Sequence, residues 1–502
     1  LFDQAGLPAV IARSSQRVWS AAAAVLAVLV MVIGWPLVLR STAMVQLDYD
    51  EGWNALRQQQ AAHFLPLYAA PPGLDITNYP PLSFHIVGLL SLLTGDANET
   101  GRFLSLAALV ALCVLAGALA RLFVPARHVG TCAALLFALW LEMWMPRRIG
   151  VNDPQLLGMA FELLGFYGFV RAVQRGQNGW RSAPLFALAV FTKHNLLALP
   201  LGVGLALLTR WDWRRLILWG GAGVLAACAL FWLTLRLDGP YFLQHMLQPR
   251  AYDLHDTLHN IGTYLIIFLP FVLLGGVWSW RNWRDGRRAP LAWSWAVAHV
   301  LAFAWAGGDG VARNIFFEAI LLDAVISVIA CADYFAGHSR ATLGRVALVC
   351  VLPMLFPLSQ ILFPLSKLPY SIVSGATEWR ALPQHEADFA AGVSLLRQAS
   401  GPVVCENLLM CDEAGKPSAF DPYHVQDQIS LGKLDPREFV AMVESQRFGV
   451  VEIGDTDLGK PERTTRFSKA FLQALAQHYN LALHTPEINV WVPGPVKAPQ
   501  PG

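Results

Sequence analysis

Three acids stand within four positions, Asp48, Asp50 and Glu51, directly after an apolar run at 18–39. An ionisable group kept at a membrane surface is costly, and such groups mark function more often than chance would. Polar and basic residues recur at the ends of later apolar runs: Arg57, Asn78 and Tyr79; then Arg147, Arg148, Asn152 and Asp153; then Lys193 and His194. Acids and cations gathered on one face suit one reaction type. A carboxylate takes the proton of an acceptor hydroxyl while cations stabilise a departing phosphate. Arginine is well made for the second task, because its guanidinium meets phosphate oxygens in pairs. The chemistry this points to is group transfer from a lipid phosphate ester, with no nucleotide required.

The elements that must position these residues are membrane helices. The chain has 502 residues, 55% hydrophobic and 14% charged, where a soluble domain carries roughly 25% charge. It holds 18 Trp and 27 Phe, as expected where aromatic rings collect at both membrane interfaces. A net charge of +2 makes no electrostatic case for nucleic acid. Apolar runs at 18–39, 101–122, 130–145, 154–172, 183–192, 196–209, 216–236, 261–280, 290–306, 314–335 and 346–365 predict a polytopic α-helical protein of about eleven transmembrane helices.

Arg121 to His128, Arg171 to Arg181, Arg210 to Arg215, Arg281 to Arg288 and His338 to Arg345 then fall on the cytoplasmic side, as the positive-inside rule asks. Loops 41–100 and 238–260 face outward. The run at 81–94 is short for a span, which needs about 20 residues, and is expected to lie in the outer leaflet. Residues 183–209 are expected as two short helices, because merging them would invert the charge pattern. Arg147, Arg148, Lys193 and Arg313 sit outside against the rule, and a cation kept there wants an anion.

From about 367 the composition turns polar. Residues 1–366 read as the membrane-embedded catalytic domain and 367–502 as an extracytoplasmic mixed α/β domain, with strands at 402–405, 448–453 and 488–492 and helices at 436–446 and 467–479. Cys405 and Cys411 are spaced for a disulfide in an oxidising compartment, while Cys113, Cys132, Cys228, Cys331 and Cys350 read as small apolar residues. His255 and His259 share a helix face, but no third ligand is spaced to match. No cleavable signal peptide stands out.

Asp50-Glu51, Pro80-Pro81-Leu82, the Gly-Arg-Phe-Leu-Ser-Leu run at 101–106, Arg148 to Pro154 and Thr192-Lys193 follow one another in that order. The set resembles the GT-C glycosyltransferases, and within them the protein O-mannosyltransferases and the lipid A aminoarabinose transferases, over residues 15–240. The resemblance implies a polyprenyl-phosphate sugar donor, an outward-facing site in the cell inner membrane and inversion at the anomeric carbon. A lipid, glycan or protein acceptor would each fit. It maps a catalytic acid onto Asp50, with Glu51 assisting and Asp153 as the acid of the second outer loop, and a donor-phosphate lysine onto Lys193. The aminoarabinose transferases carry a charged pair before Pro-Pro, where this chain has Asn78-Tyr79. Arg57, Arg147 or Arg148 is expected to replace that phosphate contact, and Asn78, Tyr79, Asn152 and His194 to line the substrate. Some GT-C enzymes hold a divalent metal ion; Asp50-Glu51 with Asp153 leaves that open, although the second loop has no Asp-x-Asp.

Other readings of the same residues stand beside these. Asp48 is a rival base. Asp153 ahead of Pro154 is also a good helix cap, and the outer arginines also suit lipid headgroups. A transporter or flippase of a lipid-linked sugar is the alternative function; it calls for inverted repeats and mid-membrane acids, and no repeat of fixed period is visible.

Overall fold

The structure is a computed structural model, and it describes residues 8–70, 73–308, 310–336, 368–454 and 466–495. The span expected at 346–365, Asp309 and Cys350 lie outside the described residues. The N-terminal part comprises helices α1 (Pro8–Leu39), α2 (Asp50–Ala62), α3 (Leu82–Thr94), α4 (Ala97–Phe123), α5 (Arg127–Trp144), α6 (Gln155–Gln174), α7 (Ala183–Thr192), α8 (Ala198–Thr209), α9 (Trp213–Leu237), α10 (Phe242–Met246), α11 (Leu254–Asn282), α12 (Ala289–Trp305) and α13 (Phe317–Ala336). Among the described residues, six helices are long and apolar enough to cross a membrane, and four shorter ones are apolar. The protein is a multi-pass membrane protein.

Burial sorts the helices. α13 is enclosed almost completely, whereas α9 exposes one face along its length, with Ile217, Val224, Leu225 and Trp232 outward. In lipid such a face needs no covering, because hydrocarbon is as apolar as the side chains. The core around α13 is aromatic. Tyr264 stacks on Phe316 at 4.5 Å, and Trp140 lies 4.3 Å from Phe271.

Residues 183–209 form two helices, and the reason is visible. The chain leaves helical geometry at Lys193, and the freed backbone N–H groups at the start of α8 must be satisfied. Glu318 of α13 accepts from the Ala198 N–H at 3.2 Å, and Glu162 of α6 accepts from the Leu199 N–H at 3.1 Å. The two carboxyl groups also hydrogen-bond each other. Two buried acids therefore cap α8 and anchor the link that presents Lys193 and His194.

A long helix, α14 (Leu368–Gln398), leads into the C-terminal part: β1 (Val403–Cys405), α15 (Leu408–Glu413), α16 (Pro422–Ser430), α17 (Pro436–Glu444), β2 (Val450–Gly454), α18 (Lys469–His478), β3 (Tyr479–His484) and β4 (Ile488–Pro493). The sheet order is β1-β2-β4-β3, parallel between β1 and β2 and antiparallel elsewhere. The expected strands and helices are all present. Strand β3, α14, α15 and α16 were not foreseen. Cys405 and Cys411 are bridged, joining β1 to α15.

The C-terminal part rests on the first loop. Leu409 donates its N–H to Gln46 at 3.2 Å, Gln59 bonds Asp412 at 2.9 Å, and Asp421 donates its N–H to the Leu74 carbonyl at 3.0 Å. One apolar cluster runs from Ala43, Val45 and Ala55 into Phe389, Cys405, Leu409 and Val490. Gly52 is where α15 crosses α2: a Cβ there would stand 2.1 Å from the Leu409 nitrogen.

Candidate active site

Segment 41–47 has to turn from the end of α1 into α2, and Arg102 makes it do so. Its guanidinium donates to the carbonyls of Ala43 and Val45 at 2.6 and 2.5 Å. It also forms a two-point pair with Glu51, Nε to Oε1 at 2.7 Å and Nη2 to Oε2 at 2.6 Å. Glu51 is fully buried. Its remaining capacity accepts the N–H of Leu47 at 2.6 Å and of Asn152 at 3.0 Å. This acid joins α2, α4, the first loop and the 149–153 loop. Asn152 is equally committed: it exchanges two amide bonds with Gln58, and its carbonyl accepts from Asn54. Gly101 lets it approach, since a Cβ there would lie 1.9 Å from the Asn152 amide oxygen.

With that frame set, three carboxylates converge on one nitrogen. Arg148 Nη1 lies 2.5 Å from Asp50 Oδ2, 3.0 Å from Asp153 Oδ2 and 3.1 Å from Asp48 Oδ1. Arg40 steadies the turn that carries Arg148 by donating to the Pro146 and Ile149 carbonyls at 2.5 and 3.2 Å. Lys193 Nζ adds a second cation, 3.0 Å from Asp153 Oδ1. Its ammonium also lies 4.8 Å from the centre of the Tyr79 ring, a favourable cation–π distance. Trp53 packs edge-on against Tyr79 at 5.2 Å, and the Tyr79 ring lies 6.3 Å from that of His194.

The three acids differ. Asp153 is buried, accepts the Gln155 N–H at 2.6 Å, and so also caps α6. Burial alone would raise its pKa, but Lys193 and then Arg148 override that and lower it. Asp48 is pushed up to about 6 by burial, with Arg148 opposing and Asp50 adding to the rise. Asp50 is the most open of the three, its side chain 27% exposed against 15% for Asp48 and 5% for Asp153. Burial would lower the pKa of Arg148, but its carboxylates outweigh burial and raise it.

The other predicted residues are less central. Arg57 pairs with Asp75 and Gln60 and lies 5.7 Å from the Trp53 ring centre. Arg147 is exposed and Asn78 half-buried, both on the loops that frame the cluster. Arg102 and Asp48 carry more of the structure than the sequence suggested. Arg250, between α10 and α11, is an electrostatic neighbour of both Tyr79 and His194. Its only sequence signal was an arginine on the expected outer side.

A divalent ion on Asp50, Glu51 and Asp153 does not fit these residues. Both Glu51 oxygens and both Asp153 oxygens are taken by protein donors, and among the described residues no group of three or more His, Cys, Asp or Glu side chains is arranged to hold a metal.

No model of a known protein family matches the chain, and no curated protein matches it in sequence. Solved structures do match. ArnT from Cupriavidus metallidurans in the apo state superposes with a TM-score of 0.57 over 95% of this chain and 100% of that one, at 15% identity. The same protein bound to undecaprenyl phosphate gives 0.56 over 93% and 99%, at 14% identity. The Archaeoglobus fulgidus oligosaccharyltransferase gives 0.55 over 92% of this chain and 72% of that one, at 12% identity. This chain has the GT-C fold. In this fold the loop between α1 and α2, the turn after α5 and the break between α7 and α8 meet at the acidic cluster.

Proposed function

We propose that this chain is a glycosyltransferase that moves one sugar from a polyprenyl-phosphate donor to an acceptor hydroxyl, with inversion. It would act on the outer face of a bacterial inner membrane, with residues 1–366 as the catalytic membrane domain and 367–502 in the periplasm. The observation that carries this reading is the cluster itself: an accessible carboxylate, Asp50, beside Arg148, Lys193 and Asp153 in a fold shared with ArnT, whose solved complex holds undecaprenyl phosphate.

The step balances without a nucleotide. The acceptor oxygen bonds to the anomeric carbon while the bond from that carbon to the phosphate oxygen breaks. The bonding pair leaves on the phosphate, and the hydroxyl proton passes to Asp50. The products are the glycosylated acceptor and polyprenyl phosphate. Asp50 serves as the base because it is the acid with the most open side chain. Lys193 receives the phosphate, with Arg250 and Arg147 as exposed cations at the rim. Tyr79, Asn78 and His194 line the sugar. Asp153 orients Lys193. Glu51 and Asn152 act through position, because their polar atoms face protein partners; Arg57 does the same by holding Asp75.

The transporter reading calls for unsatisfied acids at mid-membrane. Here Glu162 and Glu318 cap α8, and Asp323 accepts from Tyr264 and Trp295 at 2.7 Å each, which favours the enzyme; Glu142, whose buried Oε2 has no partner among the described residues, sits in the last turn of α5. The test is turnover of a panel of polyprenyl-phosphate monosaccharides by purified protein in detergent. Release of free polyprenyl phosphate with an acceptor lipid or glycan is expected. Movement of the lipid-linked sugar across vesicles without release would replace this reading with the transporter.

A further inference from the structure

Arg148 is the one cation that touches all three aspartates, and it does so through a single nitrogen. The three oxygens around that nitrogen lie 2.5 to 3.1 Å from it. Magnesium and calcium take carboxylate oxygens at roughly 2.0 to 2.6 Å. The oxygens are therefore already gathered around one point, at a radius a divalent cation could use after a contraction of under about 1 Å. What stands at that point is a guanidinium nitrogen.

The charge count agrees. Asp48, Asp50 and Asp153 bring three negative charges, and Arg148 and Lys193 bring two positive ones. Lys193 reaches only Asp153 among these acids, and among the described residues Arg148 is the one cation paired with Asp48 and Asp50. Without it, three carboxylates would share a partly buried pocket, an arrangement that repulsion and desolvation both oppose. Its side chain is only 11% exposed. Arg40 fixes the turn beneath it, so the guanidinium is held in the cluster.

We propose that Arg148 holds the place of a divalent cation, making the carboxylate cluster self-compensated and metal-independent. Arg148 acts as a positioning residue: it keeps Asp48, Asp50 and Asp153 gathered and turns the reactive edge of Asp50 toward the acceptor. This deepens the glycosyltransferase reading and rests on it for the role of Asp50, but the cation assignment is testable without turnover.

The experiment is Mn²⁺ binding by electron paramagnetic resonance, on purified full-length protein. Wild type should show no bound Mn²⁺ that competes with the free ion. Arg148→Ala should bind one Mn²⁺ with a Kd on the order of 10⁻⁴ M, the range of weak oxygen-ligand sites, and a further Asp50→Asn change should weaken that binding at least about tenfold. Arg148→Gln keeps more volume and carries the test if Arg148→Ala does not fold. Arg148→Lys, which restores a positive charge, should abolish the binding. Mn²⁺ held equally by wild type and Arg148→Ala, or by neither folded variant, would overturn the proposal. A failure of sugar transfer with the Mn²⁺ result intact would instead count against the glycosyltransferase reading alone.

Discussion

Glu51 and Arg102 form a two-point ion pair, 2.6 and 2.7 Å, closed off from solvent between α2 and α4. The neighbouring Asp50 points the other way, to Arg148. One residue of helix rotation thus separates a structural acid from the proposed base. Removing one member of a buried pair leaves an uncompensated charge and costs about 3–5 kcal/mol. Arg102→Ala is therefore expected to destabilise the detergent-solubilised protein by that order, read from its denaturation midpoint. Wild-type stability for Arg102→Ala would show that the pair does not hold the first loop.

Lys193 is tied to Asp153 and Tyr79 and is the proposed seat of the donor phosphate. Hydrogen bonds to charged groups are worth roughly 1.5–3 kcal/mol. Lys193→Ala should thus weaken binding of polyprenyl phosphate by roughly tenfold to a hundredfold, measured by titration with the product lipid. Unchanged affinity would move the phosphate elsewhere, with Arg250 next in line.

The two perturbed acids give opposite pH effects. Asp48 in the folded protein titrates near 6, above its ordinary value of 3.8. Between those values the folded state binds more protons than the unfolded, so stability falls as pH rises through about 6. Asp153 is lowered, so its contribution is present above its unfolded pKa and is lost as pH falls through the folded one. Asp48→Asn should remove the loss of stability on raising the pH through about 6, while the acid-side loss remains. A pH–stability curve unchanged by Asp48→Asn would contradict this.

Gly52 admits the backbone of α15 onto α2. A methyl group there would push the C-terminal sheet off the first loop, because the obstructing atoms are backbone and cannot rotate away. Overpacking of this kind costs about 1–3 kcal/mol. Gly52→Ala is expected to lower the denaturation midpoint and to reduce turnover more than Ala61→Gly, on the same helix. Equal turnover in both variants would mean that the sheet's seat on α2 does not affect the site.

Much of this arrangement was legible in the sequence where the signal is local. Length and hydropathy located the apolar helices among the described residues, 183–209 is two helices as expected, and the spacing of Cys405 and Cys411 matched their bridge. The acids and cations of the site were individually visible because they violate the composition of their surroundings. Their pairing was not. Arg148 stood out as a cation seeking an anion, and phosphate was the anion expected; the structure shows it held by three aspartates 98 and 100 positions before it and 5 after it. Glu51 and Asp50 are neighbours in sequence, and no local signal says which is buried against an arginine 51 positions later. The sequence pattern ends a helix at 479 and assigns no element to 480–484. Residues 479–484 form β3 because β4 offers an open edge, and pairing with a distant strand is absent from the segment's own pattern.

The most direct test is single-turnover release of polyprenyl phosphate from a donor that wild type uses, compared with Asp50→Asn and Asp48→Asn in folded protein. If Asp50 takes the acceptor proton, Asp50→Asn lowers the rate by about 10²- to 10⁴-fold while donor affinity stays within a few-fold, and Asp48→Asn keeps most of the rate. Release by Asp50→Asn at the wild-type rate, or a larger loss in Asp48→Asn, would contradict the assignment of Asp50 as the base.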